Sequence, residues 1–282
     1  MPTKRKSTRS RRIPSKSQSK NNLLIKKIGL VIFFFILVSY IIYHFREDIA
    51  YYFSFKSPHA EFHSSADTHK RTNQLIGLHT DKRFGIDISE YQGKIDWAKV
   101  DTLKKNIPID FVLIRATAGK DKVDKKFMNN FEKAKGKGFL TGAYHYYRPN
   151  ENSRQQAHLF IKTVQLTTGD LPPVLDIENI PKTQPMDSLK IGLKRWLNLV
   201  ENHYGVKPII YTGENYYNNH LKNDFYDYDF WIANYSKISS KLDSDWLFWQ
   251  FTENGQVYGI NHDVDINIFN GNRRQLKNVL ID

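Results

Sequence analysis

Two acids lie two positions apart, Asp176 and Glu178, in "PVLDIENIP", residues 173 to 181, a run that is otherwise apolar. If that run is a strand, positions i and i+2 share a face, so both carboxylates project together while Leu175 and Ile177 face the other way. Carboxyls crowded in an apolar setting raise one another's pKa. One of them then keeps its proton well above the ordinary glutamate value of about 4.3. A neutral acid beside an ionised one suits glycoside hydrolysis: one group protonates the leaving oxygen and the other stabilises or attacks the anomeric centre. Asp87 in "FGIDI" and Asp265 in "HDVDINIF" fall at comparable places and complete a candidate catalytic set of four. Clustered acids also suit magnesium or calcium. These runs have no neighbouring phosphate-binding loop or histidine ligands, so neither a metal nor a cofactor is expected.

The elements that must hold these acids are short apolar runs separated by helix-like stretches. Eight runs read as strands: 84–88, 111–116, 140–147, 173–178, 208–212, 229–235, 246–252 and 263–269. Amphipathic segments at 95–106, 124–138, 153–167, 186–205 and 213–223 separate the first six. Such alternation predicts a parallel sheet, and the fading of helical pattern after the sixth strand predicts a final third joined by loops. The fold class is therefore α/β, a TIM-like barrel with an irregular end. Chemistry in such barrels sits at the C-terminal ends of the strands, where Asp87, Asp176 and Glu178 fall, with Asp265 on the last strand. First and last strands adjoin on closure, which predicts that Asp87 and Asp265 are neighbours.

Aromatic residues at or near strand ends suit a sugar, since ring faces stack on pyranoses and phenols donate hydrogen bonds. The candidate substrate-binding residues are Tyr91, Tyr144, Tyr146, Tyr211, Trp231, Tyr235 and Trp249, with Gln250. His145, between Tyr144 and Tyr146, reads as a satisfied core histidine rather than a base.

The chain of 282 residues has a formal charge of +13, but residues 1–27 carry ten Lys or Arg and no acid, leaving only +3 for the rest. Nucleic-acid binding is therefore not expected of the folded part. Residues 28–45, "IGLVIFFFILVSYIIYHF", are eighteen without a charge and read as one transmembrane helix. No small-x-small cleavage site follows. The basic flank places residues 1–27 in the cytoplasm and the remainder on the periplasmic or extracellular side of the cell membrane. Residues 46–80, with His59, His63 and His69 loosely spaced, read as a stalk, and residues 81–282 as the catalytic domain, monomeric by expectation. There is no cysteine, so disulfides and thiol nucleophiles are excluded.

From about residue 84 to 270 the chain resembles glycoside hydrolase family 25, the N-acetylmuramidase lysozymes. The residues that carry the resemblance are "GIDISEYQGKIDW", "AYHYYRP", "PVLDIE", "WIANY", "WQFT" and "DVDINIF", in that order. The resemblance implies a (β/α)5β3 barrel that cleaves the β-1,4 bond between N-acetylmuramic acid and N-acetylglucosamine in peptidoglycan glycan strands, with retention of configuration. It implies Glu178 as general acid, Asp176 as the group that stabilises the transition state or positions the substrate acetamido group, and Asp87 and Asp265 as flanking carboxylates. An enzyme-bound ester and participation of the substrate's N-acetyl group both stay open. One motif departs: the family often reads Lys-x-Ser/Thr-Glu-Gly after its second strand, whereas "RATAG" puts Arg115 for Lys and Ala118 for Glu. Two other readings compete. A chitinase-like hydrolase of N-acetylglucosamine polymers usually carries a longer D-x-x-D-x-D-x-E run, absent here, and a non-catalytic wall-binding module has no need of Asp176 and Glu178.

Overall fold

The computed structural model describes residues 16–44, 65–103, 106–239 and 243–282. The chain divides into two compact units, Met1–His63 and Ser64–Asp282. In the first, α1 (Lys16–His44) presents the apolar side chains of Ile28 and of residues 30 to 37 in succession, all exposed and so distributed around the whole helix. Among the described residues no helix is long and apolar enough to cross a membrane. The span expected over 28–45 extends beyond the side chains described there, which are those of 28–40 and 43.

The second unit opens with α2 (Ser65–Leu78) and then a closed sheet. Its strands are β1 (Arg83–Ile88), β2 (Ile107–Ala118), β3 (Leu140–Tyr146), β4 (Val174–Asp176), β5 (Ile209–Gly213), β6 (Phe230–Ala233), β7 (Trp246–Gly255) and β8 (Val264–Phe269). Strands β1 to β7 run parallel in chain order, and β8 closes the ring antiparallel to both β7 and β1. All eight expected strands are present, and Asp87 is the direct partner of Asp265 across β1 and β8.

Crossovers are made by α3 (Phe127–Gly136), α4 (Ser153–Thr163) and α5 (Met186–Tyr204). In α5 the buried residues Leu189, Leu193, Trp196, Leu197 and Val200 recur every three or four positions and form the stripe that packs on the sheet. Gly205 ends it in the left-handed region at φ 72°, where a side chain is disfavoured. Alternate strand residues split the core in two. Phe111, Leu113, Val174, Ile209, Phe248 and Phe269 fill the barrel interior, whereas Ile114, Leu175, Ile177, Ile210 and Ile232 join the layer outside it. Gly85 permits this packing, because a Cβ there would lie 2.3 Å from the Phe111 ring.

Two expected elements differ. Of the expected helix over 95–106, residues 104 and 105 lie outside the described residues, and residues 95–103 are turns, irregular chain and a two-residue strand, Thr102–Leu103, that pairs with the start of β2. Their apolar residues Ile95, Trp97, Val100 and Leu103 are buried in the outer core without a helix, and the Trp97 indole donates to Asn130 Oδ1 on α3 (3.3 Å). The stalk reading also fails over its final part, since residues 65–78 are helical. Thr72, Leu75, Ile76 and His79 are buried at helical spacing, and the folded unit begins at Ser64 rather than at residue 81. Only two of those four side chains are strongly apolar, which is why periodicity in the sequence does not reveal the helix.

Leu75→Ala is expected to lower unfolding free energy by about 2–4 kcal/mol, the range for a buried leucine. Chemical denaturation checks this; a change within error would return α2 to the status of a loose stalk.

Candidate active site

Strand parity builds the site. On β4, Val174 fills the barrel and Asp176 stands above it at the C-terminal end, beside Tyr146 of β3 and Tyr211 of β5 in register. The strand stops at Asp176, but Ile177 N–H still donates to the Tyr211 carbonyl (3.0 Å), so the extended course reaches Glu178. Asp176 is buried and Glu178 lies partly open at the mouth. The two carboxyls are hydrogen-bonded to each other, and Asp176 Oδ1 and Glu178 Oε1 are buried without a further partner. A carboxyl pair in this state must hold a proton between them.

Asp87 is held differently. Its Oδ2 accepts from Gln250 Nε2 (2.8 Å) and from Asn267 Nδ2 (2.8 Å). Both amides are oriented in turn: the Trp231 indole donates to Asn267 Oδ1 (2.8 Å), while Tyr211 and Tyr235 hydroxyls donate to Gln250 Oε1 (2.8 and 2.5 Å). A second carboxyl contact joins Asp87 and Asp265. The network fixes both amide orientations, since only their NH2 groups can serve the carboxylate.

Burial dominates the electrostatics. It pushes Glu178 up to about 7, with the charges of Asp87 and Glu253 adding to the rise and the Asp176 bond opposing it. Asp87 rises to about 6, restrained by the Asn267 and Gln250 donors. Asp176 and Asp265 rise well above the carboxylate range, through burial first and then neighbouring acids. Such coupled acids titrate as a unit, and the Asp176–Glu178 pair retains a proton through neutral pH. The nearby cation is Arg115, which lowers Asp176. Its guanidinium is 2% exposed, bonded to Asp124 Oδ2 (3.2 Å) and 3.5 Å from Glu90 Oε1. Burial also raises Tyr146, Tyr211 and Tyr235 far above ordinary phenols, so all three keep their hydroxyl protons.

The candidate binding residues divide. Tyr146, Tyr211, Tyr235 and Gln250 gather at the acids, with Tyr146 OH accepting from Asn179 Nδ2 (2.5 Å). Tyr144 and Trp231 are buried in the interior cluster and form the floor, their rings edge to face at 6.3 Å. Tyr91 lies with its ring 4.6 Å from the Arg115 guanidinium carbon. Trp249 does not belong to the site. It points out of the barrel, fully buried against Trp246 and Phe251, because residues 249 and 250 of one strand face opposite ways. His145 faces outward too, its nitrogens on Thr117 Oγ1 (2.7 Å) and Gln156 Oε1 (3.1 Å), and burial takes it down to about 3.

Asn267, Glu253 and Asn179 were not expected. Asn267 had a signal: it follows Asp265 by two, the same shared-face spacing as Asp176 and Glu178. Ala118 lies opposite Tyr146 and brings no acid to the rim, where Glu90, 3.1 Å from Lys122 Nζ, supplies one from another strand end. Among the described residues no group of three or more His, Asp or Glu is arranged to hold a metal ion.

Comparison with known proteins gives the same answer from sequence pattern, relatives and fold. The pattern of Glycosyl hydrolases family 25 matches residues 86–260. The protein YegX of Escherichia coli strain K12 is 41% identical over 197 residues, 68% of this chain and 71% of that one. Lysozyme M1 of Streptomyces globisporus is 32% identical over 207 residues, 68% of this chain and 69% of that one. The solved structure of a family 25 glycosyl hydrolase from Bacillus anthracis superposes with a TM-score of 0.62 at 30% identity, covering 71% of this chain and 94% of that one.

Removing one donor from Asp87 tests the network. Asn267→Ala is expected to raise the Asp87 pKa by about 1–2 units, the equivalent of one hydrogen bond to a charged acceptor. Carboxyl-carbon NMR titration reads it, and an unmoved Asp87 would show that burial alone sets its value.

Proposed function

This chain belongs to glycosyl hydrolase family 25, and on that premise we propose that it is a muramidase that hydrolyses the β-1,4 bond between N-acetylmuramic acid and N-acetylglucosamine. The observation that carries the reading is the pair of hydrogen-bonded carboxyls, Asp176 and Glu178, at the mouth of a barrel that also pairs Asp87 with Asp265. Glu178 is the more open member and is raised to about 7. It therefore carries a proton at mildly acidic pH and reaches toward the groove, where it protonates the leaving glycosidic oxygen. As the bond breaks, positive charge develops on the anomeric carbon and ring oxygen. Asp176, behind Glu178, stabilises that charge or orients the acetamido group of the substrate. Water then enters from the face the leaving group vacated, with Glu178 accepting its proton, and configuration is retained. Asp87, locked by its two amides and in contact with Asp265, keeps negative potential over the same centre. Tyr146, Tyr211 and Tyr235, held as neutral phenols, present ring faces and hydroxyls to the sugar.

The same proposal includes a membrane tether. Residues 28–45 are uncharged, ten basic residues precede them without an acid, and the described apolar side chains of α1 are exposed around the helix. A helix apolar on all sides is stable in lipid and not in water. The basic flank holds residues 1–27 on the cytoplasmic side, so that the barrel faces the wall.

Two measurements test these readings. Purified peptidoglycan is digested by the full chain, wild type beside Glu178→Gln, and the reduced products are identified by mass spectrometry. The expected products end in reduced N-acetylmuramic acid, and the substitution is expected to lower kcat about 10²–10⁴-fold, the usual contribution of a general acid. A raised acid acts only while protonated, so the wild-type rate should fall as pH rises through about 7. Sedimentation with the wall without release of fragments, by both proteins, would instead favour a binding module. For the tether, the full chain is expected to stay in the membrane fraction through alkaline carbonate washing, and release by that wash would refute the span.

A further inference from the structure

Resting on the hydrolase reading of the barrel mouth, we propose that Arg71 of α2 is a positioning residue for the acid site, acting through the segment that carries Tyr235. Helix α2 precedes the residues that match the family, 86–260. It grips the neighbouring structure at two carbonyls. Arg71 Nη1 donates to the Phe251 carbonyl of β7 (2.7 Å) and Nη2 to the Lys237 carbonyl in the loop after β6 (2.7 Å). One planar guanidinium thus fastens a strand and a loop to each other, which a lysine, a single point of charge, does less well.

The first residues of the loop it fastens are tied to one another. Asn234 Oδ1 accepts from the backbone N–H groups of Ser236 (2.9 Å) and Lys237 (2.9 Å), closing a turn around Tyr235. The Asn234 carbonyl accepts from the Trp249 indole (2.9 Å), and Trp249 is met edge-on by His79, just beyond the end of α2, at 5.9 Å between ring centres. His79 Nε2 donates in turn to the Ser239 carbonyl (2.7 Å). Residues 234, 237 and 239 of the loop are therefore held by contacts that lead back to α2 and the residue just beyond it.

Tyr235 is the loop's contribution to the site. It is 36% exposed, yet its hydroxyl donates to Gln250 Oε1 at 2.5 Å, and Gln250 Nε2 donates to Asp87 Oδ2. A tyrosine at the surface keeps such a bond only if its backbone is held, because side-chain and loop entropy both favour release. Arg71 supplies that hold. Freed from it, Tyr235 leaves Gln250 to the Tyr211 hydroxyl alone, and the groove loses a wall beside Asp87.

The experiment uses the full chain and four variants: Arg71→Met, Arg71→Lys, Tyr235→Phe and the double variant Arg71→Met with Tyr235→Phe. The methionine keeps an apolar stem and removes both donors. Backbone hydrogen–deuterium exchange and release of soluble muropeptides from purified peptidoglycan are measured on each. The proposal expects faster exchange at Ser236 and Lys237 in Arg71→Met and a loss in kcat/KM of roughly tenfold. Tyr235→Phe should lose a similar factor, the double variant should be no worse than either single, and Arg71→Lys should recover part of the loss. If Arg71→Met only lowers the melting temperature and keeps wild-type kcat/KM, or if the two losses multiply, Arg71 is structural and the proposal is overturned. A wild type that releases no muropeptides defeats the hydrolase reading instead; the exchange data then decide the clamp by themselves, with unchanged protection at 236 and 237 overturning it.

Discussion

Everything in this barrel mouth is arranged around one electrostatic constraint: four carboxyls are withdrawn from water within reach of one another. In so little solvent they cannot all ionise, because like charges repel strongly and burial disfavours each charge separately. The structure meets this in two ways. Asp176 and Glu178 share their proton directly, whereas Asp87 is partly relieved by two amide donors and by contact with Asp265. The first arrangement stores a proton and the second stabilises a charge, the division of labour that acid-assisted glycoside cleavage needs.

The donors are effective only if they cannot turn away. Gln250 and Asn267 are held through their carbonyl oxygens by Tyr211, Tyr235 and Trp231. Trp231 and Tyr211 in turn meet edge to face at 4.4 Å within the barrel interior. Packing at the floor thus sets the direction of hydrogen bonds at the mouth. Phe111, Phe248 and Phe269 pack against one another in the same interior cluster as Trp231 and Tyr211.

The irregular end of the barrel serves the same purpose. Because β8 runs antiparallel, it places Asp265 directly opposite Asp87 and Asn267 one pleat farther along. With no crossover helix after β6, the outer face of β7 needs other cover. Helix α2 provides it through the fastening of Arg71 to the Phe251 carbonyl and the edge contact of His79 with Trp249. An element that lies before the barrel in sequence therefore completes the layer around it.

Much of this was legible in the residues and some was not. Alternation along a strand is a local property, so "PVLDIE" alone determined that Asp176 and Glu178 share a face with Leu175 and Ile177 opposite, and the eight apolar runs determined a closed α/β sheet. The same parity separates Gln250 from its neighbour Trp249, and an aromatic at a strand end is no evidence of which way it points. What lay beyond the sequence was decided by contacts between distant segments. The helix over Ser65–Leu78 buries two large apolar residues and is recognisable only once β7 is there to receive it. Residues 95–103 have an amphipathic pattern but no helix, since Trp97 and Val100 find burial in a loop against α3 and the segment before β8. The sequence by itself determined which acids would meet, because spacing and strand order are properties of the chain. Their unequal pKa values were decided by the tertiary structure, because burial, donors and neighbouring charge exist only after the barrel has closed.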